Sequence, residues 1–270
     1  MRRFGALLAL AALLVAAFSL LAKDAPNGQP SGAAGVTLPT PTSQPNDATG
    51  AALPTPMAQP SDTTGIAFVG DSVTLGWYAS SLSKSFYGLV ARAVLGSDDR
   101  QAAHVFISVD PATDLAAASD AAKDNSHFVI IELGVHATGD DTITPDAFRL
   151  AYGALLDCLV GGDTIAVAGT VPWLGWEAGS ERYARAAQFS QIIIEEAARK
   201  QVAVADLWSA TSLRRDLLSK PEDSTFVWPY RGDNSHPGDA GHAVIAQLYE
   251  NALASELANP PERPYEKQCR

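Results

Sequence analysis

Between Gly65 and Pro260 two patterns alternate along the chain. Short apolar runs, Ile66 to Val69, His104 to Val109, His127 to Leu133, Thr164 to Gly169 and Val202 to Leu207, read as buried strands. Longer segments between them carry helix signals: the amphipathic Ser83 to Leu95, the alanine-rich Ala112 to Lys123, Pro145 to Val160 with a proline in its first turn, and Glu181 to Lys200. A last helix is predicted from about Asp239 to Leu257. Strands that alternate with helices pair in parallel, and right-handed crossovers place helices on both faces of the sheet. The expected fold class is therefore α/β, a three-layer α/β/α sandwich around a central five-stranded parallel sheet, spanning residues 66–260.

Ahead of this domain the pattern is different. Arg2 and Arg3 precede an unbroken apolar run from Phe4 to Ala22, the charged-then-apolar order of an export signal. At about 19 residues the run also approaches the ~20 that span a bilayer. Residues 1–22 thus read as a signal peptide, with small residues at Ala17-Phe18-Ser19 for cleavage, or as a signal anchor. Residues 23–65 are rich in Pro, Thr, Gly, Gln and Ala without apolar periodicity, which predicts a disordered linker. Leu38-Pro39-Thr40-Pro41 recurs as Leu53-Pro54-Thr55-Pro56, a step of about 15 residues, and such a stretch makes an extended stalk. The expected location is extracytoplasmic, either secreted or membrane-anchored on that stalk. Residues 261–270 form a C-terminal tail.

Composition narrows the function. Hydrophobic residues make up 47% of 270, ample for a packed core, and the formal net charge is -11. That balance argues against nucleic acid, which needs clustered Lys and Arg. With no His-Glu-x-x-His, no paired-cysteine motif and no phosphate-binding glycine loop, no metal and no cofactor are expected. The two cysteines leave two alternatives. Cys158 and Cys269 either form a disulfide that pins the tail, or Cys158 is a free thiol in an apolar helix.

Two polar stretches carry candidate chemistry. In Ile66-Ala67-Phe68-Val69-Gly70-Asp71-Ser72-Val73-Thr74 an apolar strand runs directly into a glycine, an acid and a serine. The carboxyl end of a strand is where open α/β sheets keep their ligands, although Gly, Asp and Ser are also ordinary turn residues. The second stretch, Arg231 to His242, contains Asp233 and His236 three residues apart. In a tight turn that carboxylate can orient the imidazole and leave its far nitrogen free to take a proton from a serine hydroxyl. A helix-capping loop with an exposed histidine is the alternative.

Gly70-Asp71-Ser72 at the end of the first strand and Asp233-x-x-His236-Pro237 before the last helix together resemble the SGNH (GDSL-type) hydrolases, serine esterases and lipases. The resemblance covers about Ile66 to Leu257 and implies a flavodoxin-like sheet with a Ser-His-Asp triad: Ser72 as nucleophile, His236 as base and Asp233 as its orienting acid. Thr170-Val171-Pro172 and Asp206 agree with the family at smaller points. Two departures concern the oxyanion hole. The family's second block supplies a glycine N–H, whereas this chain has Ser108-Val109-Asp110-Pro111, so Val109 or Asp110 would serve. Its third block is usually Gly-x-Asn-Asp, whereas here Gly134-Val135-His136-Ala137 puts His136 at the asparagine position. A neutral imidazole can donate one hydrogen bond, so the expected oxyanion hole is the Ser72 N–H with His136.

The function implied is an exported serine esterase that hydrolyses O-acyl groups, short-chain ones such as acetyl, on a small molecule or a polysaccharide. Lipase or lysophospholipase activity, O-acyl transfer, and a catalytically impaired binding domain are the alternatives. Trp173, Trp176 and Trp228 fall in loops at the expected active edge, where they either bind substrate or pack as lid and core. His104, His127 and His242 are given no role, and Asp140 and Asp141 read as a cleft mouth or a solvated turn. The sequence does not specify an oligomeric state.

Overall fold

The computed structural model describes residues 65–96, 103–107, 118–121, 126–223, 232–263, 267 and 269. The leader, the linker, Val109, Asp110 and Trp228 lie outside the described residues. Five parallel strands, β1 (Ile66–Gly70), β2 (Ala103–Ile107), β3 (Phe128–Glu132), β4 (Ile165–Gly169) and β5 (Ala203–Ala205), form one sheet in the order β2-β1-β3-β4-β5. The order reverses between β1 and β3, because the chain leaves β1 for one edge and returns past it to build the other. Crevices at such a reversal, outside the carboxyl ends of the strands, are where doubly wound sheets bind ligands.

Every residue of β1, β3 and β4 is buried. Helices cover both faces, which is why these strands read as continuous apolar runs with no alternation. Phe68, Ile66, Ile130 and Ile131 are among the largest fully buried side chains, each worth about 1.5–3 kcal/mol of transfer from water. Helix α1 (Phe86–Leu95) begins at Ser85, whose hydroxyl accepts from the Gly88 N–H, and ends at Gly96 in the left-handed conformation. Helix α2 (Pro145–Leu159) is capped by Thr144 and α3 (Glu181–Arg199) by Ser180, each in the same way. α2 packs on α3, and α1 packs on the closing helix α5 (Asp239–Ala258), with the short α4 (Leu207–Thr211) between α3 and α5.

The last strand is shorter than its apolar run. β5 ends at Ala205 because the Asp206 side chain accepts from the Ser209 N–H and starts α4, so Leu207 is helical. Of the alanine-rich segment between β2 and β3, residues 118–121 are helical and the remainder lies outside the described residues.

Of the two alternatives for the cysteines, the structure has the disulfide: Cys158 at the end of α2 is bonded to Cys269. Arg263 is buried nearby in the same tail, paired with Glu256 of α5 and donating to the carbonyls of Thr164 and Gln201. The described residues all belong to the compact unit Pro54–Arg270.

Candidate active site

Ser72 sits on a single helical turn that leaves β1 without a loop. The Leu75 N–H donates to the Asp71 carbonyl at 3.0 Å and the Trp77 N–H to the Ser72 carbonyl at 3.1 Å. Gly70 makes this turn possible, because a Cβ there would collide with the Thr74 hydroxyl and the Glu132 carbonyl. The turn ends at Tyr78, which takes φ 68, a left-handed conformation that is uncommon and strained for a bulky residue.

His236 reaches Ser72 from the far end of the chain. Its Nε2 lies 3.1 Å from Ser72 Oγ, and its Nδ1 lies 2.7 Å from Asp233 Oδ2. With a carboxylate on Nδ1, the neutral ring carries its proton there and turns an unprotonated Nε2 to the serine. Asp233 Oδ1 accepts from the His236 N–H (2.8 Å), the Ser235 N–H (2.9 Å) and the Ser219 hydroxyl (3.2 Å). Burial alone would raise the Asp233 carboxyl, but His236 and these N–H donors hold it at about 2, so it is an anion at neutral pH. The whole loop is tied to the segment ahead of it. Leu218 and Pro237 form an antiparallel bridge, the Ser219 N–H donates to the His236 carbonyl at 2.8 Å, and the Asn234 N–H donates to the Ser219 carbonyl at 2.9 Å.

Two aromatic rings lie against the imidazole. Tyr78 stacks on His236 with centroids 4.7 Å apart and planes 19° apart, and Trp77 lies at 5.9 Å. Behind them, His242 of α5 is fully buried, accepting from the Phe86 N–H at Nδ1 and donating through Nε2 to the Trp77 carbonyl. Burial lowers its pKa to about 4. His242 is thus a neutral strut behind the serine turn.

The Ser72 turn on β1 and the Asp233-His236 loop ahead of α5 both fall within the span of a family match. Residues 68–244 match the GDSL-like lipase/acylhydrolase family. The chain belongs to that family. It is accordingly a serine hydrolase of carboxylic esters. Solved structures of the same fold include the lipase/acylhydrolase from Enterococcus faecalis (TM-score 0.55, 18% identity, covering 72% of this chain and 96% of that one). Another is LAE5, an alpha/beta hydrolase enzyme from the metagenome of Lake Arreo, Spain (0.51, 16%, 71% and 95%). A third is the acetyl xylan esterase AlAXEase (0.51, 19%, 70% and 98%). A comparison with curated proteins finds no match.

In this GDSL-type hydrolase the loop after β3 leaves the strand where Glu132 accepts from Thr74 of the serine turn. Gly134 takes φ 121, which turns the chain sharply off the strand, and His136 follows, half-buried and acting electrostatically on Asp71. Two arginines of α3 clamp the loop. Arg185 donates to the carbonyls of Ala137 (2.9 Å), Asp140 (2.7 Å) and Ile143 (2.9 Å), and Arg182 to the Thr138 hydroxyl (3.1 Å). Asp140 is exposed and bonds Thr142 within its own turn.

Of the candidate tryptophans, Trp173 is buried, with its Nε1 donating to the Trp176 carbonyl and Arg215 over its ring. It packs inside the loop and lines no open surface, so the substrate-facing alternative for Trp173 gives way to packing. Trp176 is half-exposed, with the Arg182 guanidinium 4.9 Å from its ring centre. Its loop leans on the Asp233-His236 loop through the Ser235 hydroxyl, which donates to the Leu174 carbonyl at 2.8 Å. Thr170 and Asp206 bond each other at 3.1 Å and cap α4. Sequence reasoning missed Ser219, Tyr78 and the two arginines, and only the charge of Arg182 and Arg185 on an amphipathic helix hinted at any of them. Among the described residues no cluster could hold a metal ion.

Proposed function

We propose that this hydrolase is an exported esterase that removes short acyl groups, acetyl above all, from carbohydrate by a Ser72-His236-Asp233 relay. The observation that carries the reading is the unbroken line from Asp233 Oδ2 through His236 to Ser72 Oγ, at 2.7 and 3.1 Å. As Ser72 Oγ bonds to the ester carbonyl carbon, its proton moves to His236 Nε2, and Asp233 stabilises the imidazolium that forms. The carbonyl oxygen becomes an oxyanion, held by the Ser72 N–H and His136. His236 then protonates the departing alcohol. Water, deprotonated by the same nitrogen, attacks the acyl-serine, and the acid leaves with Ser72 restored.

Export is supported by the charged-then-apolar leader, and by a disulfide of the kind that persists outside the reducing cytoplasm. Carbohydrate is supported by a stalk suited to a domain facing surface polymers, by the half-exposed Trp176 beside the catalytic loop, and by a fold shared with an acetyl xylan esterase. A fluorophosphonate probe tests the relay. It is expected to label the wild type at Ser72, and neither Ser72→Ala nor His236→Ala. Equal labelling of Ser72→Ala overturns the reading. A panel of p-nitrophenyl esters and acetylated oligosaccharides tests the substrate, and a preference for long acyl chains favours a lipase instead.

A further inference from the structure

Beneath Ser72 lies a pair of acids that the hydrolytic relay does not use. Asp71 and Glu132 stand at the carboxyl ends of the neighbouring strands β1 and β3, where Gly70 is paired with Glu132, and both are buried, at 1% and 0% exposure. Asp71 Oδ1 accepts from the Val73 N–H at 3.0 Å, and Glu132 Oε2 accepts from the Thr74 hydroxyl at 3.0 Å. The other oxygen of each, Asp71 Oδ2 and Glu132 Oε1, receives no N–H or O–H from any other described residue. The two orphaned oxygens thus belong to acids at adjacent strand ends, and the charge of Asp71 acts on Glu132.

Two carboxylates are both acceptors, so a hydrogen bond between them requires a proton on one. The surroundings demand the same. Facing the pair are the Thr74 hydroxyl on the turn, Tyr152 on α2, Tyr249 on α5, His136 on the loop after β3 and His236 on the catalytic loop. Among the described residues no lysine or arginine is hydrogen-bonded or ion-paired to either acid. Two negative charges in such a site would be uncompensated, and buried acid pairs respond by keeping a proton. Burial raises both carboxyls. For Asp71 this is offset in part by His136, while for Glu132 the charge of Asp71 adds to it and carries the group well above the ordinary range. Burial and the charge of Asp71 both favour the proton on Glu132. Burial also pushes Tyr152 and Tyr249 up, so both phenols stay neutral.

We propose that Asp71 and Glu132 share one proton, and that this proton is the clasp that holds the Ser72 turn against β3 in register with His236. Asp71 grips the turn at Val73 and Glu132 grips it at Thr74, so the bond between them closes a ring around the nucleophile. Loss of the proton replaces that bond with repulsion between two carboxylates and lets the turn move off. Asp71 and Glu132 act through Ser72 and touch no substrate, so they are positioning residues. The catalytic part of this inference rests on Ser72 being the nucleophile; the shared proton itself does not.

The experiment compares wild type with Glu132→Gln, an amide that can donate to Asp71 and accept from Thr74 without titrating. Urea unfolding is measured from about pH 5 to about pH 9. The native wild type holds a proton that the unfolded chain releases above the ordinary glutamate pKa of 4.5, so its unfolding constant rises relative to Glu132→Gln by about tenfold per pH unit. A ratio that stays flat overturns the shared proton. In ester hydrolysis, Glu132→Gln is expected to stay within a few-fold of wild type near pH 7 and to keep its kcat on the alkaline side where that of wild type falls, with KM little changed in both. Identical alkaline limbs overturn the positioning role. Should Glu132→Gln not fold, carbon-13 NMR of glutamate-labelled Ser72→Ala supplies the same answer. One glutamate still protonated at neutral pH is expected, and every glutamate ionised overturns it. Neither the unfolding nor the NMR arm needs turnover, so a failed esterase reading and a failed clasp give different results.

Discussion

Ser72 and His236 meet across 3.1 Å, yet they are held by different kinds of structure. The serine turn grows directly from β1, a strand buried along its whole length and paired on both sides, and behind it stand Glu132, His242 and the aromatic ring of Phe86. The histidine belongs to a partly exposed loop whose fixed points are hydrogen bonds: the bridge from Leu218 to Pro237, the two bonds between Ser219 and Asp233, and the backbone bonds around them. One side of the site is placed by packing, the other by a staple. Packing resists deformation because interiors are close to crystal density, whereas a surface staple opens at a cost of a few hydrogen bonds. Changes on the serine side should therefore weigh more on stability, and changes on the histidine side more on rate.

The largest effects are expected on the proposed relay. Asp233→Asn and His236→Ala are each expected to lower kcat by about 10⁴-fold or more with folding intact, read by ester hydrolysis alongside circular dichroism. An active Asp233→Asn would mean that the staple, and not the carboxylate, is what His236 needs. His136→Ala should cost about a hundredfold in kcat if the ring binds the oxyanion, and His136→Asn much less, measured on one short-chain ester. A pair of variants then sets the two sides against each other. Gly70→Ala, which drives a methyl into Thr74 and Glu132, is expected to cost about 2 kcal/mol in urea unfolding. Ser219→Ala should cost about 1 kcal/mol there and about tenfold in kcat, because Asp233 loses one donor and one backbone anchor. The reverse ranking would break the distinction between packing and staple.

The smallest effect is on acid stability. His242 has an ordinary pKa of 6.5 and a native value of about 4, so the unfolded chain takes up this proton first as pH falls. The stability it contributes is whole above about pH 6.5 and is lost as pH falls through the window down to about 4. At about pH 6 the loss is only about 0.8 kcal/mol. His242→Gln should flatten that part of the acid limb, as followed by thermal unfolding, and an unchanged limb would remove His242 as its source.

The same contrast explains what was legible in the amino-acid order. β1, β3 and β4 are buried on both faces, so their side chains form continuous apolar runs, and the turn residues Gly70 to Ser72 stand out at the end of one of them. Asp233 and His236 stand out because their partnership spans three residues and needs no knowledge of the fold. Ser219 did not, since its meaning depends on a loop that packing brings back from 14 residues away. Tyr78 did not stand out, because only the folded turn gives it a left-handed backbone and an imidazole to stack on. β5 was overextended to Leu207 because apolar content cannot tell the end of a strand from the first turn of a helix, a distinction that Asp206 makes by capping. Glu132 did not stand out within its apolar run either, because its neighbour across the sheet is invisible without register.

The bond between Cys158 and Cys269 closes a loop of 111 residues. By chain entropy alone a loop of about that length is worth about 4.7 kcal/mol. That is a large share of the 5–15 kcal/mol by which a domain is stable at all. The practical consequence concerns how the protein is produced. Expression in a reducing cytosol, or a truncation that drops the last two residues, would yield a chain without this cross-link, prone to lose its fold on mild warming. Preparations made in an oxidising compartment would survive the same treatment, so reports of a fragile or inactive enzyme would first need a thiol count.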